Sequence, residues 1–199
     1  MAFDGTVYDV PDSEANAAAF SRPSAGPRGD GAFPQVKKLS LVELGTHVEV
    51  AFLVKHGHCG ERVMVTALLR HLTPEMLLLL DQGFYSYELW RTLIATGVKR
   101  LARVVPSLIL RPIRLLADGS YLAKVYKSDY DRRKDRDGIV VRVIRYTLDD
   151  PQRVGHGEEH VLITNLLDEE LYPAKEFVIT YHERWEEECD SRTPERFQE

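Results

Sequence analysis

Met76-Leu77-Leu78-Leu79-Leu80-Asp81-Gln82-Gly83-Phe84 decides the reading of this chain. Five apolar residues in a row, with no polar alternation, suit a strand buried on both faces in the middle of a parallel sheet. The run ends on a carboxylate. Gly83 then allows a turn, and Tyr85 to Thr96 reads as a helix closed by Gly97. Val98 to Val105 reads as the next strand. These elements form a βαβ unit, which implies a mixed or parallel sheet covered by helices. Ligands of such sheets sit at the carboxyl ends of the strands, which is where Asp81 falls.

Upstream, Ala2 to Tyr8 is a short strand with Asp4 inside it. Strands disfavour Asp, so Asp4 either faces water or has a task. Residues 11–35 are loop-like, broken by Pro11, Pro23, Pro27 and Pro34 and by Gly26, Gly29 and Gly31. Within them, Ser13 to Phe20 forms one or two helical turns behind a Ser13 cap. Those glycines follow no strand, which rejects a phosphate-binding loop. Val36 to Val54 reads as two strands that turn at Gly45-Thr46. His56, His58 and Cys59 are close in sequence, but they offer no fourth ligand and no paired spacing, so no metal is assigned there. Glu61 to Leu72 is an amphipathic helix with Val63, Ala67, Leu68 and Leu72 on its apolar side, ended by Thr73-Pro74.

Downstream, Leu108 to Thr164 alternates apolar and charged residues, with turn signals at Asp118-Gly119 and Asp137-Gly138. This pattern predicts an antiparallel β insertion. Charge is unevenly spread around it. Residues 99–153 hold 14 Lys and Arg against 7 Asp and Glu, a net of +7; residues 168–199 hold 4 against 11, a net of −7. A basic block suits a polyanion partner, an acidic block repels one or holds cations, and solvated surface is the commoner meaning of both. Asp168 to Tyr172 reads as a helical turn, and Pro173 opens the last helix. Tyr181, Arg184, Trp185 and Glu188 share one face of that helix. The plain reading is an Arg184–Glu188 ion pair on a half-buried helix, worth about 0.2–0.5 kcal/mol.

Composition bounds the rest. The 199 residues are 44% hydrophobic and 29% charged, which fits one globular domain with an insertion. Two cysteines imply no disulfide framework and fit a reducing cytoplasm. No signal-peptide pattern opens the chain, and the longest apolar run is too short to span a bilayer.

Asp4, Asp81 and Glu188 stand out together. Three carboxylates at one cleft repel one another unless a cation neutralises them, and hard divalent cations with oxygen ligands do so in phosphodiester chemistry. Asp4-Gly5-Thr6, then Leu80-Asp81-Gln82-Gly83-Phe84, then Tyr181-x-x-Arg184-Trp185-x-x-Glu188 closely resemble the catalytic domain of bacterial insertion-sequence DDE transposases. The nearest group is the insertion-sequence-four family. Asn16, Phe20 and Arg22-Pro23 match the turn after that family's first Asp, and the resemblance runs to Glu188.

The resemblance implies an α/β, ribonuclease H-like mixed sheet flanked by helices, with an antiparallel β insertion before the last helix. Residues 1–107 would be the first part of the core, 108–165 the insertion, 166–190 the closing catalytic helix region and 191–199 a frayed tail. Asp4, Asp81 and Glu188 would bind two Mg²⁺ or Mn²⁺ ions. A metal-activated water would cut the element's end, and the freed 3′ hydroxyl would attack target DNA. Tyr181 and Arg184 would contact double-stranded DNA, with Arg132, Arg133 and Lys134 of the insertion gripping it by charge. Self-association on DNA, and a bacterial cytoplasmic location with nucleoid association on DNA, are implied as well.

Three positions depart from the family pattern: Glu195 in place of a Lys, Gln82 in place of an Arg and Ser21 in place of a Gly. By the same resemblance, the family's end-recognition and pairing regions are expected to be missing. The expectation is therefore a truncated, impaired transposase that is inactive or weak alone. The alternative is a non-catalytic DNA-binding remnant. An unrelated small-molecule-binding α/β domain would leave the three carboxylates far apart.

Overall fold

A computed structural model describes residues 1–23, 31–149 and 156–191, and for residues 184–191 only the helical backbone. The chain divides into two compact units: Met1–Met76 with Thr92–Val98, and Leu77–Arg91 with Lys99–Glu199.

In the first unit, β1 (Ala2–Asp9), β2 (Gln35–Glu43) and β3 (Val48–His56) form an antiparallel meander in the order β3-β2-β1. The first helix, α1 (Glu14–Phe20), starts behind Ser13, whose hydroxyl accepts the Asn16 backbone N–H as an N-cap should. Helix α2 (Glu61–Leu68) runs on as a 3₁₀ turn to His71. Phe3, Leu39, Leu41, Met64, Val65 and Leu68 are buried together in this unit.

The apolar side of α2 corrects the sequence reading. Val63 is 69% exposed and Ala67 is exposed, while Met64 and Val65 are buried. Val63-Met64-Val65 is apolar throughout, so periodicity alone leaves two stripes open. The stripe of Met64, Val65, Leu68, Leu69 and Leu72 buries more side chain and prevails. Gly97 closes the 3₁₀ turn Leu93–Thr96 in the left-handed region, at φ 70°.

The second unit is built on β4 (Leu77–Leu80), whose Leu78, Leu79 and Leu80 are buried. It pairs in parallel with β5 (Lys99–Val104), Leu77 opposite Lys99 and Leu80 opposite Ala102. The helix between them begins as α3 (Tyr87–Thr92). Strands β6 (Arg114–Leu115), β7 (Tyr121–Val125), β8 (Ile139–Thr147) and β9 (Glu159–Thr164) continue the sheet antiparallel, in the order β5-β9-β8-β7-β6. The fold is therefore mixed α/β, with mostly antiparallel pairing.

The β6–β7 hairpin turns at Asp118-Gly119, with Gly119 at φ 84°. Asp137-Gly138 makes no hairpin. A short helix, α4 (Asp129–Arg133), stands between β7 and β8 behind a Ser128 cap that accepts the Asp131 N–H. Arg132 and Arg133 thus lie on a helix and Lys134 at its end. Its signals are local: a Ser cap, acids in the first turn and bases in the last.

The final helix, α5 (Ala174–Ser191), runs past Glu188. The remainder of the proposed frayed tail, with Glu195, lies outside the described residues. Among the described residues no helix is long and apolar enough to cross a membrane.

Candidate metal and nucleic-acid site

Asp4 sits in β1 opposite Ser40 of β2, and it is exposed. Facing water is one of the two ways a strand tolerates an Asp. Its neighbour Gly5 leaves room for Glu61 at the start of α2: a Cβ at Gly5 would stand 3.1 Å from Glu61 Oε1. Lys37 Nζ lies 3.6 Å from the same oxygen.

Asp81 stands one residue past the buried end of β4 and is half-buried. The Phe84 N–H donates to its carbonyl at 2.9 Å, which closes the turn that Gly83 permits. Its carboxylate meets α5. Tyr181 of that helix is 0% exposed, and its hydroxyl lies 3.3 Å from Asp81 Oδ1, as donor. Tyr181, read from the sequence as a DNA contact, is thus inside the core of its unit. Arg184 and Glu188 follow Tyr181 on one face of the helical backbone at i+3 and i+7, and their side chains lie outside the described ones.

Two features hold α5 to the sheet of its own unit. The first is a buried charge. Arg142 of β8 is 0% exposed, donates through Nε to Ser120 Oγ at 2.8 Å, and reaches the carbonyls of Asp168 and Tyr172. Its other nitrogen pairs with the Asp118 carboxylate. Asp118 also accepts the Ala174 N–H at 2.8 Å, capping the start of α5. Phe177 of α5 lies under the guanidinium, 5.7 Å away. Burial works against the Asp118 carboxylate, but hydrogen bonds from Ser120 and Ala174 and the Arg142 charge outweigh it and hold its pKa below the usual range.

The second is aromatic. The Tyr146 hydroxyl lies 2.9 Å from His182 Nε2, and the Tyr146 ring stacks on His160 at 5.3 Å. Burial pushes the Tyr146 hydroxyl up to about 12. Neither feature was found from sequence. Simple alternation along β8 would turn Arg142 outward, but Val141, Arg142, Val143 and Ile144 are all buried, because both faces of β8 are covered.

Much of the basic block is neutralised inside its own unit. Lys124 pairs with Asp135 at 2.7 Å, Arg132 with Asp129 at 3.0 Å, Arg145 with Glu159 at 2.9 Å, and Arg136 with Asp131. Arg133 and Lys134 are exposed and have no ion pair among the described residues. Arg132 also lines an open cavity of about 450 Å³ with Ser107, Ile109, Tyr126, Lys127 and Ser128.

The donor chemistry of Asp4, Asp81 and Glu188 is all carboxylate oxygen, which fits a hard divalent cation. Among the described residues, no three His, Cys, Asp or Glu side chains gather to hold a metal. His56 and His58 have ring centroids 6.5 Å apart, and His58 Nε2 lies 2.9 Å from the Arg22 carbonyl.

Residues 1–197 match the transposase DDE domain, and the chain belongs to that family. Over 196 residues it is 29% identical to Transposase InsG for insertion sequence element IS4 of Escherichia coli (strain K12). That alignment covers 96% of this chain and 43% of that transposase, so the chain spans less than half its relative's length. The resemblance to the insertion-sequence-four family is borne out.

Proposed function

We propose that this chain is the catalytic domain of an insertion-sequence transposase, which cuts and joins DNA phosphodiesters with divalent cations. The observation that carries the reading is the place of Asp81. It stands at the carboxyl end of β4, in contact with a residue of the same helix that bears Glu188. The family match and the strand order within each unit support a ribonuclease H-like fold.

Asp4, Asp81 and Glu188 are assigned as ligands of two Mg²⁺ or Mn²⁺ ions. Bound cations of this kind supply Lewis acidity at an attacking water or 3′ hydroxyl and at the leaving oxygen. The chain's own share is to hold carboxylates in place and to bind the polyanion. Arg133 on α4 and Lys134 just past its end are exposed cations, beside Arg132 at the rim of the cavity, and Arg184 of α5 follows Tyr181 toward Glu188. Double-stranded DNA is the partner, the element's ends first and target DNA next, with self-association on DNA.

Calorimetric titration of Mn²⁺ into the chain, beside Asp81→Ala, tests the reading. Saturable binding that the variant loses, with at most weak Mn²⁺-dependent nicking of supercoiled DNA by this impaired chain, is the expected result. A folded chain that binds DNA but neither Mn²⁺ nor nicks would overturn the catalytic reading and leave a DNA-binding protein.

A further inference from the structure

We propose that Arg100 is an anion-binding residue: its guanidinium, stacked on the Trp90 indole, takes a carboxylate from outside the chain. The site is separate from the candidate metal ligands and does not rest on them. Arg100 of β5 stands opposite Leu78 of β4, and Asp81 comes three residues after Leu78. At a strand rise of about 3.3 Å per residue, that is about 10 Å along the sheet.

Arg100 and Arg142 are both buried in this unit's sheet, and their surroundings differ. Arg142 has a carboxylate, a hydroxyl and two carbonyls around it. Arg100 is 4% exposed, and its guanidinium makes one long hydrogen bond, from Nη1 to the Trp90 carbonyl at 3.4 Å. Its Nε is buried with no acceptor, and neither Nη2 nor the charge as a whole has a partner among the described residues. The guanidinium carbon lies 4.7 Å from the centre of the Trp90 ring. Trp90 is 1% exposed, and its Nε1 is a second buried donor with no acceptor. The Arg100 backbone N–H is tied to Asn165 Oδ1 at 2.7 Å, which fixes where the side chain starts.

A buried charge with no opposite charge is costly to keep. Burial alone pushes the Arg100 guanidinium down to about 10, so it is still charged at neutral pH. The indole face offsets part of that cost, but it accepts no strong hydrogen bond. What stands together here is a set of donors, and a ligand for it must bring acceptors and negative charge. A carboxylate brings two oxygens in one plane, which match the planar edge of a guanidinium. It also brings a single charge to a single cation. A phosphate group would bring nearly two at neutral pH, and neither Trp90 nor Asn165 supplies a second cation. Of the guanidinium nitrogens without an acceptor, only Nε is sealed from solvent, so the ligand approaches along Nη2.

The test titrates sodium acetate into the whole chain, beside sodium chloride at equal ionic strength. The chain has two tryptophans, so Trp185→Phe in every sample makes Trp90 the reporter. Arg100→Leu removes the unpaired charge and should fold, because apolar replacement of a buried charge is often neutral or stabilising. Arg100→Lys keeps a charge without the planar fork. The expected result is a saturable change in Trp90 emission with acetate and none with chloride. Arg100→Leu should lose the change and Arg100→Lys weaken it. Acetate should also raise the melting temperature of the parent and leave that of Arg100→Leu where it was. A peptide with one Glu, blocked at both ends, that binds tighter than acetate assigns the carboxylate to a protein partner; acetate as the tighter ligand assigns it to a small acid. No acetate response overturns the proposal. So does an equal response to chloride, which marks charge screening, or an acetate response that survives in Arg100→Leu, which places the effect elsewhere. Inorganic phosphate that binds where acetate does not overturns the choice of ligand.

Discussion

Helix α5 is held at two places by different means. At its start, Arg142 is a fully buried charge with a carboxylate, a hydroxyl and two carbonyls around it, and Asp118 ties that charge to the first N–H of the helix. Two turns on, Tyr181 meets Asp81 through one long hydrogen bond. The first arrangement satisfies nearly every donor of a guanidinium and fixes backbone. The second is a single contact, the hydrogen bond to the Asp81 side chain found among the described residues. The difference separates a contact that builds a helix's place from one that only meets a carboxylate, within one element.

Breaking the first place should have the largest effect. Asp118→Ala strips the carboxylate from a guanidinium that is 0% exposed. Removing one partner of a buried pair costs about 3–5 kcal/mol. Because the Asp118 side chain is 22% exposed, the lower end, about 3 kcal/mol, is expected. Urea unfolding should show a lowered midpoint at unchanged slope.

Acid should undo the same place gradually. The folded pKa of Asp118 lies below its unfolded value. The unfolded chain therefore binds the proton first, and the stabilisation is complete above the ordinary Asp range near about 4. It is lost as pH falls through the depressed folded pKa. Melting temperature against pH should fall more steeply there in the parent than in Asp118→Asn, and parallel curves would show that this carboxylate carries no such linkage.

The smallest effect belongs to the second place. Tyr181→Phe removes one neutral donor and should cost about 1 kcal/mol or less on the same urea curves. A loss as large as that of Asp118→Ala would erase the distinction between the two places and make Tyr181 a structural group.

The two places were unequally legible in the sequence. Short-range signals transferred well. The Leu77–Leu80 run became a buried parallel strand, Gly97 took the left-handed cap, Ser13 capped α1 and Asp118-Gly119 turned a hairpin. Each depends on a few adjacent residues and on local backbone chemistry. What failed depended on who covers whom. Val63 was read inward because three apolar residues in a row leave a helix face undecided. The burial of Arg142 gave no sign, because alternation assumes one wet face and β8 has none at that residue. The helix α4 was missed though its cap and end charges were in view, since five residues are too few for periodicity to register. At the candidate site, the strand end carrying Asp81 could be placed from sequence, but the phenol beside it could not. A Tyr among charged residues gives no sign of which way it faces.

The Asp118–Arg142 pair also limits how this sequence can drift. Either residue replaced alone leaves its partner's charge stranded next to the start of α5, so each single step passes through a weakened chain. Exchanging the pair for an apolar one would need both changes together, along with a new partner for Ser120 and for the carbonyls of Asp168 and Tyr172. These two positions, 24 residues apart in the chain, are bound to a common fate.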